Sequence, residues 1–244
     1  MNSKTVIVLG SPRSGTSVTA GILHMLGVDM GNIRSPDPLN PRGYFEDWDF
    51  LKLGDRAFTA CRSDSNGFSP PDMSEAEGVF GEFSDEASVL LENREKAARG
   101  QAWGWKTTHT CFLLNLYLPL LAQQPHVVVV LRNPLATADS ISRYVSHEVK
   151  RGMYQPKSKI DSLQVVLEYE AALLHSVRAS GLQNILYVAY EDLVKNPAAG
   201  IEELVSYISL NPNKKERKDA LALVSRKRQR LLRKWLVPHF ARSG

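Results

Sequence analysis

The residues best suited to chemistry form a short loop near the start of the chain, Gly10-Ser-Pro-Arg-Ser-Gly-Thr-Ser17. An apolar, β-branched run, Thr5–Leu9, precedes the loop, and an amphipathic segment at residues 15–26 follows it. Small residues let the backbone wrap closely around an anion, and the N-terminus of the following helix offers free N–H groups and a positive dipole end. This strand–loop–helix pattern predicts a phosphate-binding site.

Thr16 stands at the position where a P-loop triphosphatase carries lysine, although the spacing otherwise matches G-x-x-x-x-G-K-[ST]. In those enzymes the lysine and Mg²⁺ manage the β- and γ-phosphates of the nucleotide. The substitution therefore argues against ATP or GTP chemistry. Arg13 places a different cation inside the loop.

A second anion site is predicted where the apolar run His126–Leu131 ends in Arg132. An arginine at the carboxyl end of a parallel strand faces the crevice where such sheets bind ligands, and its fork of donors suits phosphate. Ser140 follows eight residues later, on a helix predicted to open at Asn133-Pro134, and can point back to the same place. Arginine also replaces the aspartate that Mg²⁺-using P-loop enzymes often have here, which favours chemistry without a metal.

Taken together, these two segments resemble the nucleotide site of sulfotransferases that use 3'-phosphoadenosine-5'-phosphosulfate (PAPS), especially bacterial and carbohydrate-type members. The resemblance implies that Arg132 and Ser140 bind the 3'-phosphate. It implies that the loop binds the 5'-phosphosulfate through Pro12, Arg13, Ser14, Gly15, Thr16 and Ser17.

Two weaker matches extend the resemblance. Tyr190-Glu191-Asp192-Leu193 is similar to a segment common in sulfotransferases, which would put Tyr190 near the adenine. The basic residues Arg226 and Lys227 would add to the 3'-phosphate site, as a C-terminal basic loop does in some members.

The reaction implied by the resemblance is metal-free transfer of a sulfuryl group to a hydroxyl or an amine, with release of 3',5'-ADP. Lys106 ends the segment Trp103-Gly-Trp-Lys106 and is the first candidate for a cation that stabilises the sulfuryl group. Arg13 is the second.

Three side chains compete for the role of general base. Glu46 lies where several sulfotransferases carry a catalytic glutamate, and it is the preferred candidate, with Asp47 as its neighbour. His109 ends Lys106-Thr-Thr-His109, which resembles the Lys-Thr-His segment of cytosolic sulfotransferases, with the histidine one residue late. Imidazole suits proton transfer near neutral pH.

The elements that must position these residues alternate between strand and helix. Strands are expected at residues 5–9, 101–106, 126–131 and 185–190, and helices at residues 15–26, 84–99, 111–122, 134–147 and 161–179, with two more from Asn196 and Lys214. Ser84 is expected to cap the second of these helices, and Asp161 with Gln164 is expected to form a capping box. Residues 61–81, rich in Ser, Asp, Gly and Pro, are expected to be irregular and are the best candidate for a mobile insertion such as a lid.

This order predicts an α/β fold of the P-loop type, in which helices cover both faces of a parallel sheet. We expect one domain over residues 1–244. A mostly helical and irregular insertion would span about residues 34–100, after the first βα unit, and a basic helical segment would span about residues 213–244.

Composition and charge limit the expected cellular location and the classes of partner. The chain is 43% hydrophobic with a net charge of +4, but residues 214–244 alone carry +9, which leaves −5 for the rest. Two cysteines make no disulfide framework, and no signal layout or bilayer-length apolar run is seen, so a cytoplasmic protein is expected.

We expect a small-molecule or carbohydrate acceptor and no nucleic-acid partner, since the basic segment lacks interleaved aromatic residues. A P-loop small-molecule kinase and a catalytically silent nucleotide-binding protein are the alternatives.

Overall fold

The computed structural model describes residues 3–37, 40–61, 68–149 and 158–224. Within these ranges four strands form one sheet, in which every neighbouring pair is parallel and the order is β2-β1-β3-β4. The strands are β1 (Thr5–Leu9), β2 (Trp103–Trp105), β3 (His126–Leu131) and β4 (Ile185–Ala189). The predicted α/β fold with a parallel sheet is confirmed.

Each face of the sheet has its own apolar core, which explains why the strands read as continuous apolar runs. Ile7 and Leu9 of β1 point into one core, and Val6 and Val8 point into the other. The same alternation continues along the valines of β3. A strand buried on both faces needs no polar side, and so its sequence shows none.

Helices cover both faces of this sheet. The face of Val6 and Val8 is covered by α1 (Thr16–Met25), α8 (Tyr190–Lys195), α9 (Pro197–Ile208) and α10 (Lys214–Val224). The face of Ile7 and Leu9 is covered by α2 (Trp48–Ala60), α3 (Met73–Gly81), α4 (Ser84–Ala98), α5 (Thr110–Tyr117), α6 (Pro134–Val149) and α7 (Lys159–Ser180). A 3₁₀ turn, Leu118–Leu120, extends α5.

The structure corrects three local predictions. Residues 61–81 are not irregular throughout, because α3 forms and buries Ala76 and Phe80, four residues apart, in the core. Helix α4 has Phe83 rather than Ser84 at its N-cap position, and no side chain caps it.

The capping box of α7 is formed by Ser158 and Asp161, not by Asp161 and Gln164. Ser158 Oγ accepts a hydrogen bond from the Asp161 amide at 3.1 Å, and the Asp161 carboxylate accepts one from the Ser158 amide at 2.8 Å. Asp161 is therefore the third residue of the helix rather than its cap.

The predicted C-terminal helix begins at Lys214 and is described as far as Val224. The remainder of the predicted segment, which includes Arg226 and Lys227, lies outside the described residues. Among the described residues no helix is both long and apolar enough to cross a membrane.

Candidate active site

A cleft of about 380 Å³ opens at the carboxyl edge of the sheet, and each strand delivers a predicted residue or loop to this edge. The loop that starts at Gly10 follows β1, Lys106 follows β2, Arg132 follows β3 and Tyr190 follows β4. Because the strands are parallel, their carboxyl ends meet at one edge, where such sheets bind ligands. Most of the predicted site residues line this cleft: Pro12, Arg13, Gly15, Thr16, Ser17, Glu46, Lys106, His109, Arg132 and Tyr190.

The loop that starts at Gly10 wraps tightly before α1 begins at Thr16. Arg13 adopts a left-handed backbone with φ of 67°, and Gly15 has φ of 110°. A Cβ on Gly15 would lie 2.3 Å from Cδ2 of Tyr190, so only glycine fits between the loop and that ring. Ser14 Oγ is buried and has no hydrogen-bond partner among the described residues. A buried hydroxyl of this kind is expected where a ligand completes the site.

The loop is joined directly to the second predicted anion site. Arg132 Nη1 donates a 2.8 Å hydrogen bond to the carbonyl oxygen of Arg13, and Arg13 Nε donates one of 3.3 Å to Ser140 Oγ. The Arg132 guanidinium also lies 4.7 Å from the centre of the Tyr190 ring. The structure therefore brings Arg13, Arg132, Ser140 and Tyr190 together.

These two guanidinium groups are positioned to receive an anion. Neither forms an ion pair with a carboxylate anywhere in the part of the chain that the structure describes, and Arg132 Nε is buried without a partner there. Burial lowers the pKa of Arg13, and the adjacent Arg132 charge lowers it further. A bound anion would relieve both effects.

Lys106 and Glu46 form a buried ion pair at the base of the cleft. Lys106 Nζ lies 2.7 Å from Glu46 Oε1 and donates a 3.2 Å hydrogen bond to Ser17 Oγ of the loop. The second Glu46 oxygen lies 3.6 Å from Arg34 Nη1. Burial lowers the pKa of Lys106, and the Glu46 carboxylate opposes that shift. The cation and the favoured base are thus direct partners.

Asp47 does not line the cleft. It is fully buried at the N-cap of α2, where its side chain accepts hydrogen bonds from the amides of Asp49 at 2.8 Å and Asn32 at 3.0 Å. Its carboxylate also pairs with Arg94 Nε at 3.2 Å. These contacts give Asp47 a structural role in starting the helix.

Sequence reasoning missed Asp55, whose carboxylate also lines the cleft. Asp55 Oδ1 lies 3.5 Å from His109 Nε2. Burial raises the pKa of Asp55 to about 6, the Glu46 charge raises it as well, and Arg34 opposes both. A signal was available, because Trp48, Leu51 and Asp55 occupy positions i, i+3 and i+7 of α2 and all three line the cleft.

The outer part of the cleft is aromatic. Of the aromatic residues in the insertion, Tyr44, Trp48 and Phe68 line it, whereas Phe45 packs into the opposite core against α1. The Arg34 guanidinium lies 3.9 Å from the centre of the Tyr44 ring. Sequence reasoning also missed Arg34 and Tyr144, since neither belongs to a motif.

Comparison with known proteins identifies the family. A family model described as "Sulfotransferase family" matches residues 5–213, whereas no curated protein sequence matches. The chain is similar in structure to sulfotransferase STF9 from Mycobacterium avium, with a TM-score of 0.55 and 13% identity over 98% of this chain and 69% of that one.

Two sulfotransferase domains share the same fold. The domain from the curacin biosynthetic pathway has a TM-score of 0.54 and 16% identity, and the domain from the Synechococcus PCC 7002 olefin synthase has a TM-score of 0.51 and 15% identity. In both comparisons the match covers 88% of this chain and 76% of the other. With the family model matching nearly the whole length, this chain belongs to the sulfotransferase family.

Proposed function

We propose that this protein transfers the sulfuryl group of PAPS to a hydroxyl or an amine of a small-molecule or carbohydrate acceptor and releases 3',5'-ADP. The observation that carries the proposal is the direct link between two anion sites. Hydrogen bonds join the loop at Arg13 to both Arg132 and Ser140, and Arg13 and Arg132 line the same cleft. PAPS presents two separate anionic groups, a 5'-phosphosulfate and a 3'-phosphate.

The residues present fit this substrate. The loop residues Pro12, Arg13, Ser14, Gly15, Thr16 and Ser17 would hold the 5'-phosphosulfate, and the buried Ser14 hydroxyl would gain a partner. Arg132 Nε and Ser140 would hold the 3'-phosphate, and Tyr190 would lie near the adenine. Arg226 and Lys227 are proposed to add to the 3'-phosphate site.

Fixed cations of the chain supply the electrostatic stabilisation in this proposal. Lys106 lies beside the loop, 3.2 Å from Ser17 Oγ, so its ammonium can stabilise the charge of the transferred group. Arg13 would act on the leaving side, where negative charge grows as the bond from sulfur to the 5'-phosphate breaks. A cytoplasmic location suits two cysteines, Cys61 and Cys111, that are both free.

Thermal unfolding in the presence of nucleotides tests the proposal. A ligand at about 100 times its Kd stabilises the folded protein by about 2.7 kcal/mol. For a chain of this size that free energy raises the Tm by several degrees, at about 2–4 °C for each kcal/mol. We expect this rise with 3',5'-ADP, and a smaller one with ADP or ATP whether or not Mg²⁺ is added.

Two other outcomes would contradict the proposal. A rise with ATP and Mg²⁺ but none with 3',5'-ADP would indicate a kinase. Stabilisation by 3',5'-ADP without any release of 3',5'-ADP from PAPS, even with a panel of hydroxyl acceptors, would indicate a catalytically silent nucleotide-binding protein.

A further inference from the structure

Sulfuryl transfer to a hydroxyl requires a group that takes the acceptor proton, and three side chains at the cleft have the chemistry to do so: Glu46, His109 and Asp55. The inference drawn from their surroundings rests on the proposed function. The ion pairs, packing and exposure of these three side chains differ, and they indicate which one can accept a proton.

Glu46 is committed to two cations. One of its oxygens lies 2.7 Å from Lys106 Nζ and the other 3.6 Å from Arg34 Nη1, and the residue is buried. A proton on Glu46 would weaken both ion pairs and leave the buried Lys106 ammonium without its counter-charge. Removing one partner of a buried pair is strongly unfavourable.

His109 is enclosed by helix α2. Its side chain is 3% exposed, and its ring meets Phe58 edge to face at 4.4 Å between centroids. Gly54 provides the space for it, since a Cβ there would lie 2.7 Å from Cβ and Cγ of His109. The ring turns Nε2 toward Asp55 Oδ1, 3.5 Å away. This packing suits a residue that orients a neighbour.

Asp55 is the accessible member of the group. Its side chain is 36% exposed and lines the same cleft as Lys106 and the phosphate loop. The carboxylate is held on one side by His109 and faces the cleft on the other. We propose that Asp55 accepts the proton of the acceptor hydroxyl, and that His109 is the positioning residue that orients its carboxylate.

The transfer balances with this assignment. The acceptor O–H bond breaks and its proton goes to the Asp55 carboxylate, while the acceptor oxygen forms a bond to sulfur. The bond between sulfur and the 5'-phosphate oxygen breaks, and its electron pair leaves with 3',5'-ADP. Asp55 then returns the proton to water through the open side of the cleft.

The electrostatic surroundings agree with this role. Within the part of the chain that the structure describes, the charged and titratable groups that act on Asp55 are His109, Glu46 and Arg34. Burial and the Glu46 charge raise the pKa of Asp55 to about 6, so the carboxylate is ionised at neutral pH yet basic enough to take a proton. The rate should rise with pH through this value.

The test is Asp55→Asn, measured as release of 3',5'-ADP from PAPS with water, phenol or 4-nitrophenol as the acceptor. Loss of a general base reduces turnover by about 10²–10⁴-fold, and we expect such a loss with water and phenol. We expect a much smaller loss with 4-nitrophenol, which is largely ionised at about pH 8 and needs no base. Affinity for 3',5'-ADP should stay unchanged.

Asp49→Asn, on the exposed face of the same helix, is the matched control and should behave as wild type.

Stability separates a catalytic role from a structural one. An unfolded Asp55 releases its proton at lower pH than the folded one, so this group contributes less stability as pH rises toward about 6 and above. Asparagine removes that effect. At about pH 8 the variant should therefore keep or raise the Tm while losing turnover, as expected of a functional carboxylate.

His109→Phe tests the positioning role. The phenylalanine ring can still pack against Phe58, but it lacks the Nε2 atom that lies 3.5 Å from Asp55 Oδ1. Because a nearby donor favours the ionised carboxylate, its loss should move the acidic limb of the rate profile to higher pH without changing the affinity for 3',5'-ADP.

Unchanged turnover in Asp55→Asn with phenol, or disappearance of the acidic limb in Glu46→Gln instead, would overturn the assignment. A lowered Tm together with equal losses on phenol and 4-nitrophenol would also overturn it, since that pattern indicates structural damage. If the wild-type protein neither binds 3',5'-ADP nor releases it from PAPS, the proposed function fails and the Asp55 assignment falls with it. If 3',5'-ADP release is normal in both proteins, only the Asp55 assignment fails.

Discussion

At the scale of single residues, the cations that line the cleft differ in whether a carboxylate of the described residues neutralises them. Arg13 and Arg132 pair with no carboxylate within the described ranges, whereas Lys106 is neutralised by Glu46 at 2.7 Å. The first arrangement suits a charged group that stays bound throughout the reaction. The second suits a cation that acts on a group whose charge changes during transfer.

Arg132 should discriminate between nucleotides. Replacing it by lysine keeps the positive charge but removes the fork of donors that suits phosphate. Hydrogen bonds to charged groups contribute about 1.5–3 kcal/mol, so the affinity for 3',5'-ADP should fall about 10- to 100-fold. The affinity for ADP, which lacks the 3'-phosphate, should change much less, and titration calorimetry of the two ligands measures the difference.

Arg143→Lys, at an exposed position one turn beyond Ser140 on α6, is the control for this experiment and should leave both affinities unchanged. Equal losses for the two ligands in Arg132→Lys would mean that Arg132 serves only to hold the loop through the Arg13 carbonyl.

Lys106 should affect turnover more than product binding. Lys106→Met keeps most of the buried side-chain volume but removes the ammonium beside the loop, and Glu46 retains Arg34 as a partner. Removing one electrostatic stabiliser of a transition state typically lowers kcat by about 10²–10³-fold. The affinity for 3',5'-ADP should change little, because this product carries no sulfuryl group.

Steady-state release of 3',5'-ADP from PAPS together with calorimetry of 3',5'-ADP separates these two effects. A variant with normal kcat, or with kcat and product affinity reduced in parallel, would contradict the role proposed for Lys106.

At the scale of elements, helix α2 forms one wall of the cleft. It presents Trp48, Leu51 and Asp55 to the cleft and sets Gly54 against His109. A glycine in the middle of a helix weakens it, so its presence here has to be explained by the close approach of the histidine.

Gly54→Ala should therefore disturb the site although it improves helix propensity. The new Cβ would lie 2.7 Å from the His109 side chain, and overpacking of this kind costs about 1–3 kcal/mol. We expect a lower Tm in thermal unfolding and reduced turnover, because His109 must move away from Asp55. Gly78→Ala in α3, where a Cβ meets nothing within 4 Å, is the matched control and should keep or raise the Tm. Equal behaviour of the two variants would show that the packing of Gly54 against His109 is unimportant.

The sequence predicted elements well where local pattern decides the outcome. The run of valines in β3 and the proline that opens α6 act through neighbouring residues, and both bounds of β3 and the start of α6 agree with prediction. Helix α3 was missed, because Ser, Gly and Pro around it suggest a loop whereas its stability comes from burial of Ala76 and Phe80 against distant elements.

The residues of the site also divide into those that a local sequence pattern reveals and those that only tertiary packing brings together. The loop and Arg132 could be predicted to lie at one edge of the sheet because each directly follows a strand in the sequence, and both line the cleft. Asp55, Arg34 and Tyr144 lie on other elements and reach the cleft only through tertiary packing. No spacing in the chain could reveal the ion pair between Lys106 and Glu46, which are sixty residues apart.

At the scale of the whole molecule, charge is distributed unevenly. The total is +4, and residues 214–244 carry +9 against −5 for the rest. A cleft lined by Arg13, Arg34, Lys106 and Arg132 therefore lies in a body of opposite net charge, while the excess positive charge is at one end of the sequence. The positive charges of the cleft and of the basic segment raise the local concentration of anions and accelerate their association.

The basic segment should consequently support nucleotide binding. Arg226→Ala combined with Lys227→Ala is expected to weaken 3',5'-ADP binding about tenfold, the equivalent of about 1.4 kcal/mol, and to weaken ADP binding less, because the 3'-phosphate is the proposed contact.

Arg233→Ala combined with Lys234→Ala removes the same charge farther along the segment and isolates the effect of net charge. Calorimetry at low and high salt distinguishes the two cases, since exposed charges are screened over about 10 Å at about 0.1 M salt. If both double variants weaken 3',5'-ADP and ADP alike, and only at low salt, the segment attracts anions generally and Arg226 and Lys227 do not contact the 3'-phosphate.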